Sequence, residues 1–463
     1  MKTNTLLTLL QKKGIFIDAN CGGKGRCGKC RVMIKGNLNP PDDIEKMLIP
    51  ENLLKKGYRL ACRIKADAFP ELFEISLPKK KINSEKNKLD NIGLAIDIGT
   101  TIIKGALVEI NNAKIIKNAK VLNPQQSWGG DVITRIGFAI SGNYKMLRGA
   151  LLRGIKELKS ELKISKPQFT TIVGNPVMLS FYLGESVKSF AHYPFEGNIK
   201  KGIYTKNPPG YVFGCIGGFV GGDTIAGIIA SGLLSEKKPS LYIDLGTNGE
   251  IALITDRKIY ALSTAAGPAF EGVGLTCGSL ACPGAIEKVE YKNGFKFHTI
   301  DNKPPTGFCA SGFIDLFAIL LKKKWLTEYG MLKKKIQING LKIEQMDIRK
   351  LQLAIGAIHT GIKFLLDYAG ISSSEIKTAV ITGEFGSHLN PSSLKSIGII
   401  PLGIENILCK NDLPILGAIR FLLNEIRPED IEQIRKRAIH LELAMQKDFQ
   451  KRFVEGLILK PWN

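Results

Sequence analysis

The chain has 463 residues and carries 65 Lys and Arg against 42 Asp and Glu, a formal charge of +23. That length allows two or three domains with filled apolar cores. No apolar run of about 18 residues predicts a membrane-spanning helix, and no basic start followed by an apolar stretch predicts a secretory signal. The lysines run along the whole sequence without a basic helix or interleaved aromatics. The charge therefore reads first as compositional bias, second as a handle for an acidic protein, and last as a nucleic-acid surface. A cytoplasmic protein with neither nucleic acid nor membrane as partner is expected.

In chain order, Thr5 to Lys13 predicts a short helix, and Ile15 to Ile17 leads into a loop with Cys21, Cys27 and Cys30. A fourth cysteine, Cys62, stands alone in Tyr-Arg-Leu-Ala-Cys-Arg. Four thiolates, two per iron, suit a [2Fe–2S] cluster, and the spacing is one residue longer than the plant-type pattern. Glycines at 22, 23, 25 and 28 let the loop take positive φ and turn its amides inward. A zinc site would pair two C-x2-C knuckles, and the second knuckle is missing; disulfides would need a secreted context. The cluster is ranked ahead of both. Arg31 to Ile34 and Leu72 to Leu77 predict strands, so residues 1–78 read as a β-grasp ferredoxin-like unit of α+β type. The other five cysteines (Cys215, Cys277, Cys282, Cys309, Cys409) read as buried free thiols.

Residues 79–92 are polar and charged and read as a short linker. From 93 the pattern becomes α/β. Leu94-Ala-Ile-Asp-Ile-Gly-Thr-Thr-Ile-Ile-Lys predicts a strand, a tight turn and a returning strand. The figure recurs at Ser240-Leu-Tyr-Ile-Asp-Leu-Gly-Thr-Asn-Gly-Glu, so two similar lobes are expected, 93–238 and 239–425. Each turn offers amides and hydroxyls that wrap phosphate (Gly99, Thr100, Thr101; Gly246, Thr247, Asn248, Gly249). Asp97 and Asp244, at the strand ends, can hold Mg²⁺ directly or through water. Lys104 and Glu250 follow the turns. One such turn is weak support; two facing across a cleft can clamp one nucleotide tail.

Gly217 to Gly232 predicts a helix between the lobes, headed by Asp223. That residue reads first as an N-cap and second as a group orienting water or Mg²⁺ near a γ-phosphate. Gly267-Pro-Ala-Phe-Glu-Gly predicts the start of a glycine-rich helix bordering the nucleotide, with Glu271 towards ribose. Thr378-Ala-Val-Ile-Thr-Gly-Glu-Phe-Gly is a buried strand running into Gly383, Glu384 and Phe385. It resembles the adenosine-binding turn of actin, hexokinase and Hsp70-like ATPases. Leu413 to Leu423 predicts a closing helix in which Gly417 and Ala418 permit close packing. Residues 426–463 form a charged tail, with a helix expected from Ile431 to Phe453.

A plant-like ferredoxin joined to a two-lobed actin-like (ribonuclease H-like) ATPase resembles the reductive activators of corrinoid proteins. The resemblance covers nearly the whole chain. It rests on the cysteine loop, on Asp97-Ile-Gly-Thr-Thr, Asp244-Leu-Gly-Thr-Asn-Gly-Glu, Gly267-Pro-Ala-Phe-Glu-Gly and Thr382-Gly-Glu-Phe-Gly, and on the ending Ile439-His-Leu-Glu-Leu-Ala with Phe449 and Phe453. Longer members carry a linker and a small middle domain that only about a dozen residues replace here. Another branch carries C-terminal [4Fe–4S] motifs, which are not found in this sequence. The resemblance implies one-electron return of Co(II) corrinoid protein to Co(I), coupled to ATP and Mg²⁺, with a reductase or ferredoxin as electron donor and a homodimer as a candidate assembly. Rival readings are a sugar-kinase-like phosphotransferase with an appended ferredoxin, an activator of another low-potential enzyme such as the 2-hydroxyacyl-CoA dehydratase type, and an actin- or Hsp70-like binding protein with a structural cluster.

Overall fold

The computed structural model describes residues 5–12, 25, 28, 30–35, 39–65, 74–76, 91–272, 274–383 and 386–462. At the N-terminus β1 (Arg31–Lys35) is the centre of a small sheet, antiparallel to β2 (Tyr58–Leu60) on one side and β3 (Glu74–Ser76) on the other. The helix Leu6–Lys12 adds Leu6, Leu7 and Leu10 to a core with Val32, Ile34 and Leu60. Glu45 stiffens this unit. It accepts from Arg59 Nε at 2.9 Å and Nη2 at 2.7 Å and from the Leu60 amide at 2.8 Å. The same carboxylate completes a capping box with Asp42 at the helix Asp43–Leu48. One buried group thus fixes both a helix start and the strand that leads to Cys62. The expected linker lies largely outside the described residues.

The first lobe is built on an antiparallel meander of β4 (Ile92–Ile98), β5 (Ile102–Glu109) and β6 (Lys114–Leu122). β7 (Phe169–Gly174) runs parallel to β4; beyond it lies the edge hairpin β8 (Ile203–Lys206) and β9 (Pro209–Val212), with β9 parallel to β7. The second lobe starts the same way, with β10 (Ser240–Leu245), β11 (Gly249–Ile254) and β12 (Ile259–Thr264). An insertion follows: a small sheet of β13 (Ala285–Tyr291), β14 (Phe295–Thr299) and β15 (Gly307–Phe308), then a hairpin of β16 (Ile336–Ile338) and β17 (Leu341–Ile343). β18 (Thr378–Gly383) then joins β10 in parallel, and β19 (Asn406–Cys409) joins β18. Both large sheets therefore repeat one plan. β4 and β10 are apolar along most of their length because they are covered on both faces.

Two helices, Gly222–Ser231 and Leu413–Leu422, lie between the sheets, and their side chains share a core with Ala95 and Ala106 of one lobe and Ala252 and Ala261 of the other. Gly417 makes the crossing close: a Cβ there would stand 2.1 Å from the carbonyl oxygen of Ala226. Among the described residues no helix is long and apolar enough to cross a membrane.

The tail departs from the single helix expected over Ile431 to Phe453. A helix spans Pro428–Arg437, and the chain then extends as β20 (Ala438–His440) and pairs in parallel with β12. A second helix covers Phe449–Gly456. The open edge of β12 offers hydrogen bonds that a continuous helix could not meet.

Trp462 fastens the chain end. Its Nε1 donates to Gly398 O at 3.0 Å, and His359 Nδ1 lies 3.0 Å from the same oxygen. A carbonyl only accepts, so Nδ1 carries the proton. Burial lowers His359 from 6.5 to about 4. Between these values the unfolded chain binds the proton and the folded chain does not, so this group withdraws up to about 3 kcal/mol of stability as pH falls from 6.5 to 4. Urea melts of a His359→Phe variant should show a shallower loss across that window than wild type. Parallel losses would rule this source out.

Candidate functional site

Two of the four cluster cysteines are described, and they meet. Cys30 precedes β1 and Cys62 follows β2; Arg31 pairs with Leu60, and the Ala61 amide donates to Cys30 O at 2.8 Å. Both side chains are buried. A hydrogen bond from Cys30 is the main reason the Cys62 thiol falls from 9 to about 7, against the opposing effect of burial; the Gly25 amide and the charge of Arg63 also favour the thiolate. Gly25 and Gly28 have φ of +70° and +63°, as the loop reading requires. Paired buried sulfurs, a favoured thiolate and an inward amide fit an iron–sulfur ligand set. Cys21 and Cys27 lie outside the described residues. Of the five remaining cysteines, Cys215, Cys277 and Cys309 are buried thiols as expected, but Cys409 is half-buried and Cys282 is exposed, because it sits in the loop before Pro283.

The second constellation lies between the lobes. Asp97 faces Lys104 across β4 and β5, and Asp244 faces Glu250 across β10 and β11. In the first turn the Gly99 amide donates to Ile102 O at 3.0 Å, and a Cβ at Gly99 would stand 2.5 Å from that oxygen. The turn is held from behind: Asn123 Nδ2 donates to Gly99 O at 3.0 Å and Gln126 Nε2 to Thr101 O at 2.8 Å. In the second turn the Gly246 amide donates to Asn248 O at 3.0 Å. The two turns touch, with Thr101 Oγ1 2.8 Å from Thr247 Oγ1. Glu271 Oε1 accepts from the Thr247 amide at 3.1 Å and hydroxyl at 2.9 Å. Lys104 Nζ reaches Asp412 Oδ1 at 2.7 Å. The space left between is about 110 Å³, below the roughly 300–1,000 Å³ usual for ligand pockets.

The electrostatics are lopsided. Burial raises Asp97 well above the usual carboxylate range, with Lys104 opposing. Burial also lifts Asp244 to about 6 and Asp223 to about 7, and raises Glu250 and Glu271. Asp97, Asp223, Asp244 and Glu250 raise one another where they interact, so the cleft favours an added cation. Among the described residues no three such groups converge closely enough to chelate a metal by themselves.

Residues 2–67 match a 2Fe-2S iron-sulfur cluster binding domain, 92–236 the RACo middle region, and 238–462 the C-terminal domain of RACo, the ASKHA domain. The "Corrinoid activation enzyme RamQ" of Eubacterium limosum is 30% identical, over 95% of this chain and 94% of that one. The chain belongs to the corrinoid-protein activator family. The "[Co(II) methylated amine-specific corrinoid protein] reductase" of Methanosarcina barkeri is 25% identical over 77% of this chain and 75% of that protein. The solved "Reductive activator for corrinoid,iron-sulfur protein" has the same fold, with a TM-score of 0.74 at 23% identity, covering 99% of this chain and 96% of that one. The family domains carry the [2Fe–2S] character of the N-terminal unit and the ATP-binding character of the C-terminal one. A middle region is present after all, in the segment that forms the first lobe.

Within this activator architecture most of the expected cleft residues come together: Asp97, Gly99, Thr100, Thr101, Lys104, Asp223, Asp244, Gly246, Thr247, Asn248, Glu250, Glu271 and Gly383 all line the cleft. Gly249 does not. A Cβ there would stand 2.2 Å from Ile358 Cδ1, so its smallness serves the helix Gln345–Ala369. Gly267 is not part of the lining, and the expected glycine-rich helix is one 3₁₀ turn, Pro268–Glu271, stopped by Gly272 at φ +71°. Asp223 is not the N-cap; Gly221 holds that position, and Asp223 Oδ1 accepts from the Thr224 amide at 2.7 Å. Glu384 and Phe385 lie outside the described residues.

Three polar lining residues were not among those expected. Asn175 Nδ2 donates to Thr100 Oγ1 at 3.1 Å, Thr382 Oγ1 accepts from the Leu413 amide at 3.4 Å, and Asp412 holds Lys104. Asn175 had a signal: Thr-Ile-Val-Gly-Asn ends β7 as Val-Ile-Thr-Gly-Glu ends β18. Gly174 pairs with Ile98 and Gly383 with Leu245, and a Cβ at either would stand 2.8 or 2.5 Å from that partner's carbonyl oxygen.

Proposed function

We propose that the chain is an ATP-dependent reductive activator that returns Co(II) corrinoid protein to Co(I) by one electron, with a reductase or ferredoxin as donor, in the cytoplasm. The observation that carries this reading is the pairing, in one chain, of thiolate-favouring cysteines with a two-turn phosphate cleft. A [2Fe–2S] cluster held by Cys21, Cys27, Cys30 and Cys62 supplies a one-electron store whose potential in plant-type ferredoxins is around −400 mV. Reaching Co(I) from there is uphill, and nucleotide supplies the drive.

Each cleft residue has a distinct task in this reading. The amides and hydroxyls of Gly99, Thr100, Thr101, Gly246, Thr247 and Asn248 wrap the phosphates. Asp97 and Asp244 would hold Mg²⁺, directly or through water. Asp223 orients the attacking water, Lys104 neutralises phosphate charge, and Gly383 lets the backbone lie against ribose and base. Glu271 holds the Thr247 turn in place. Two copies of the chain form the working assembly.

The test is anaerobic. Iron-loaded protein is mixed with Co(II) corrinoid protein and an electron donor, and Co(I) is followed optically with and without Mg·ATP. Co(I) should accumulate over many turnovers only with hydrolysable nucleotide. Equal rates without nucleotide would break the coupling, and phosphate transfer to a small-molecule acceptor would favour a kinase.

A further inference from the structure

The lysines that look evenly spread in the sequence converge at one place in the second lobe. The helix Ala310–Lys322 ends in Lys322-Lys-Lys-Trp, and seven residues later the chain returns as Lys333-Lys-Lys. The returning segment is in register. Leu326 bridges Leu332, the Thr327 amide donates to Met331 O at 3.0 Å, and the Lys333 amide donates to Trp325 O at 2.8 Å. Six exposed lysines therefore stand at the base of one hairpin. Among the described residues none of the six forms an ion pair. Lys323 Nζ lies 4.6 Å from the Tyr291 ring and Lys334 Nζ 3.1 Å from the Trp325 ring, contacts that hold the two ammonium groups over aromatic faces. The hairpin tip carries Tyr329 and Met331, 64% and 58% exposed. A groove of about 1010 Å³ runs beside the hairpin; Lys292, Lys322, Lys323, Lys324 and Lys333 on its walls outnumber Glu290, Asp315 and Glu328.

We infer that this hairpin and groove form a docking surface for an acidic face of the corrinoid protein, a partner that rests on the function proposed above. Charge decides the kind of occupant. A second copy meeting this face two-fold would set the same six lysines against each other and be repelled, so the pairing of two copies proposed above uses another face. The chain's own cluster unit, residues 1–78, has 14 Lys and Arg against 8 Asp and Glu and is excluded on the same ground. Single-stranded nucleic acid needs free ring faces. Tyr291 and Trp325 pack edge to face at 5.3 Å and each lies under a lysine, which leaves Tyr329 as the single open ring of the hairpin, too few for successive bases to stack on. An apolar Tyr–Met tip above a base of six lysines, with Glu328 the one acidic residue in the hairpin, suits a protein interface with a mainly positive rim.

The test reverses lysines that do not stack on rings: Lys324→Glu, Lys333→Glu and Lys335→Glu together, with the neutral Gln triple as a graded second variant. A control triple makes the same charge change at exposed lysines of the first lobe, Lys114, Lys145 and Lys156. Co(II) reduction is measured with full-length, iron-loaded protein against corrinoid protein concentration at several salt levels. At low salt the Glu triple should raise KM for the corrinoid protein about tenfold with kcat and ATPase unchanged, and the Gln triple by less. At about 0.5 M salt the three proteins should converge. Wild-type activity with unchanged KM and salt slope in the Glu triple, or an equal effect of the control triple, would overturn the surface. Loss of binding to a labelled oligonucleotide with KM unchanged would overturn it in favour of nucleic acid. If wild-type protein reduces no corrinoid protein, the functional reading fails and takes this partner with it.

Discussion

A Cys62→Ser protein, reconstituted with iron and sulfide under argon, should lose the visible absorption and the reduced-state EPR signal of the cluster, and its cobalt reduction should fall to background. Its ATPase rate should stay within about twofold of wild type, because distant sites with no shared partners act independently. Cys62 stands in the buried core beside Cys30, with the Gly25 amide and Arg63 favouring its thiolate. Serine keeps the size but does not ionise, so a ligand is lost with little change in packing. Cys62 is one member of a core that Leu6, Leu7, Leu10, Val32, Ile34 and Leu60 mostly fill, so exchanging one sulfur for oxygen leaves most of its apolar contacts in place. Circular dichroism should therefore show a folded protein. A variant that kept full cobalt reduction would remove Cys62 from the electron path.

The second large effect is expected in the cleft. Asp244→Asn should lower the ATPase rate by about 10²–10³-fold, the scale of losing one well-placed electrostatic group at a reacting centre. The Tm of the ligand-free protein should stay level or rise. The two outcomes have opposite signs for one reason. Burial holds the Asp244 carboxyl up at about 6, with Asp412 and Glu271 adding repulsion, so its ionised form weakens the empty fold while serving a bound cation. Calorimetry and a phosphate-release assay on the same sample would separate the roles. A lower Tm together with lost activity would make Asp244 a structural residue instead.

The sequence made the two phosphate turns legible because both depend on short-range rules. A strand, an aspartate, a glycine and a hydroxyl recur at one spacing, and the register of β4 with β5 and of β10 with β11 places them as expected. Gly417 was legible for the same kind of reason, since a glycine within an apolar helix implies close approach. What stayed hidden depends on distant pairing. Asp412 gains its meaning only when Lys104, far back in the chain, arrives beside it. Gly249 looked like part of a phosphate turn, but Ile358 of a later helix claims the space above it. The tail looked helical from its own periodicity, and the edge of β12 drew three of its residues into a strand. The lysine cluster was missed because a count along the chain does not show that two triplets flank a hairpin.

The contacts that close the empty cleft have a further consequence. Thr101 and Thr247 bond to each other, and Lys104 bonds to Asp412, at the very groups that would greet a triphosphate. An arriving nucleotide must exchange those partnerships rather than simply add its own. Its measured affinity is then a net figure, smaller than the grip it finally enjoys, and the difference is spent in freeing one lobe from the other. Loss of the γ-phosphate would free the hydroxyls and the ammonium for their old mates, so the contact between the lobes would be restored by the protein's own side chains.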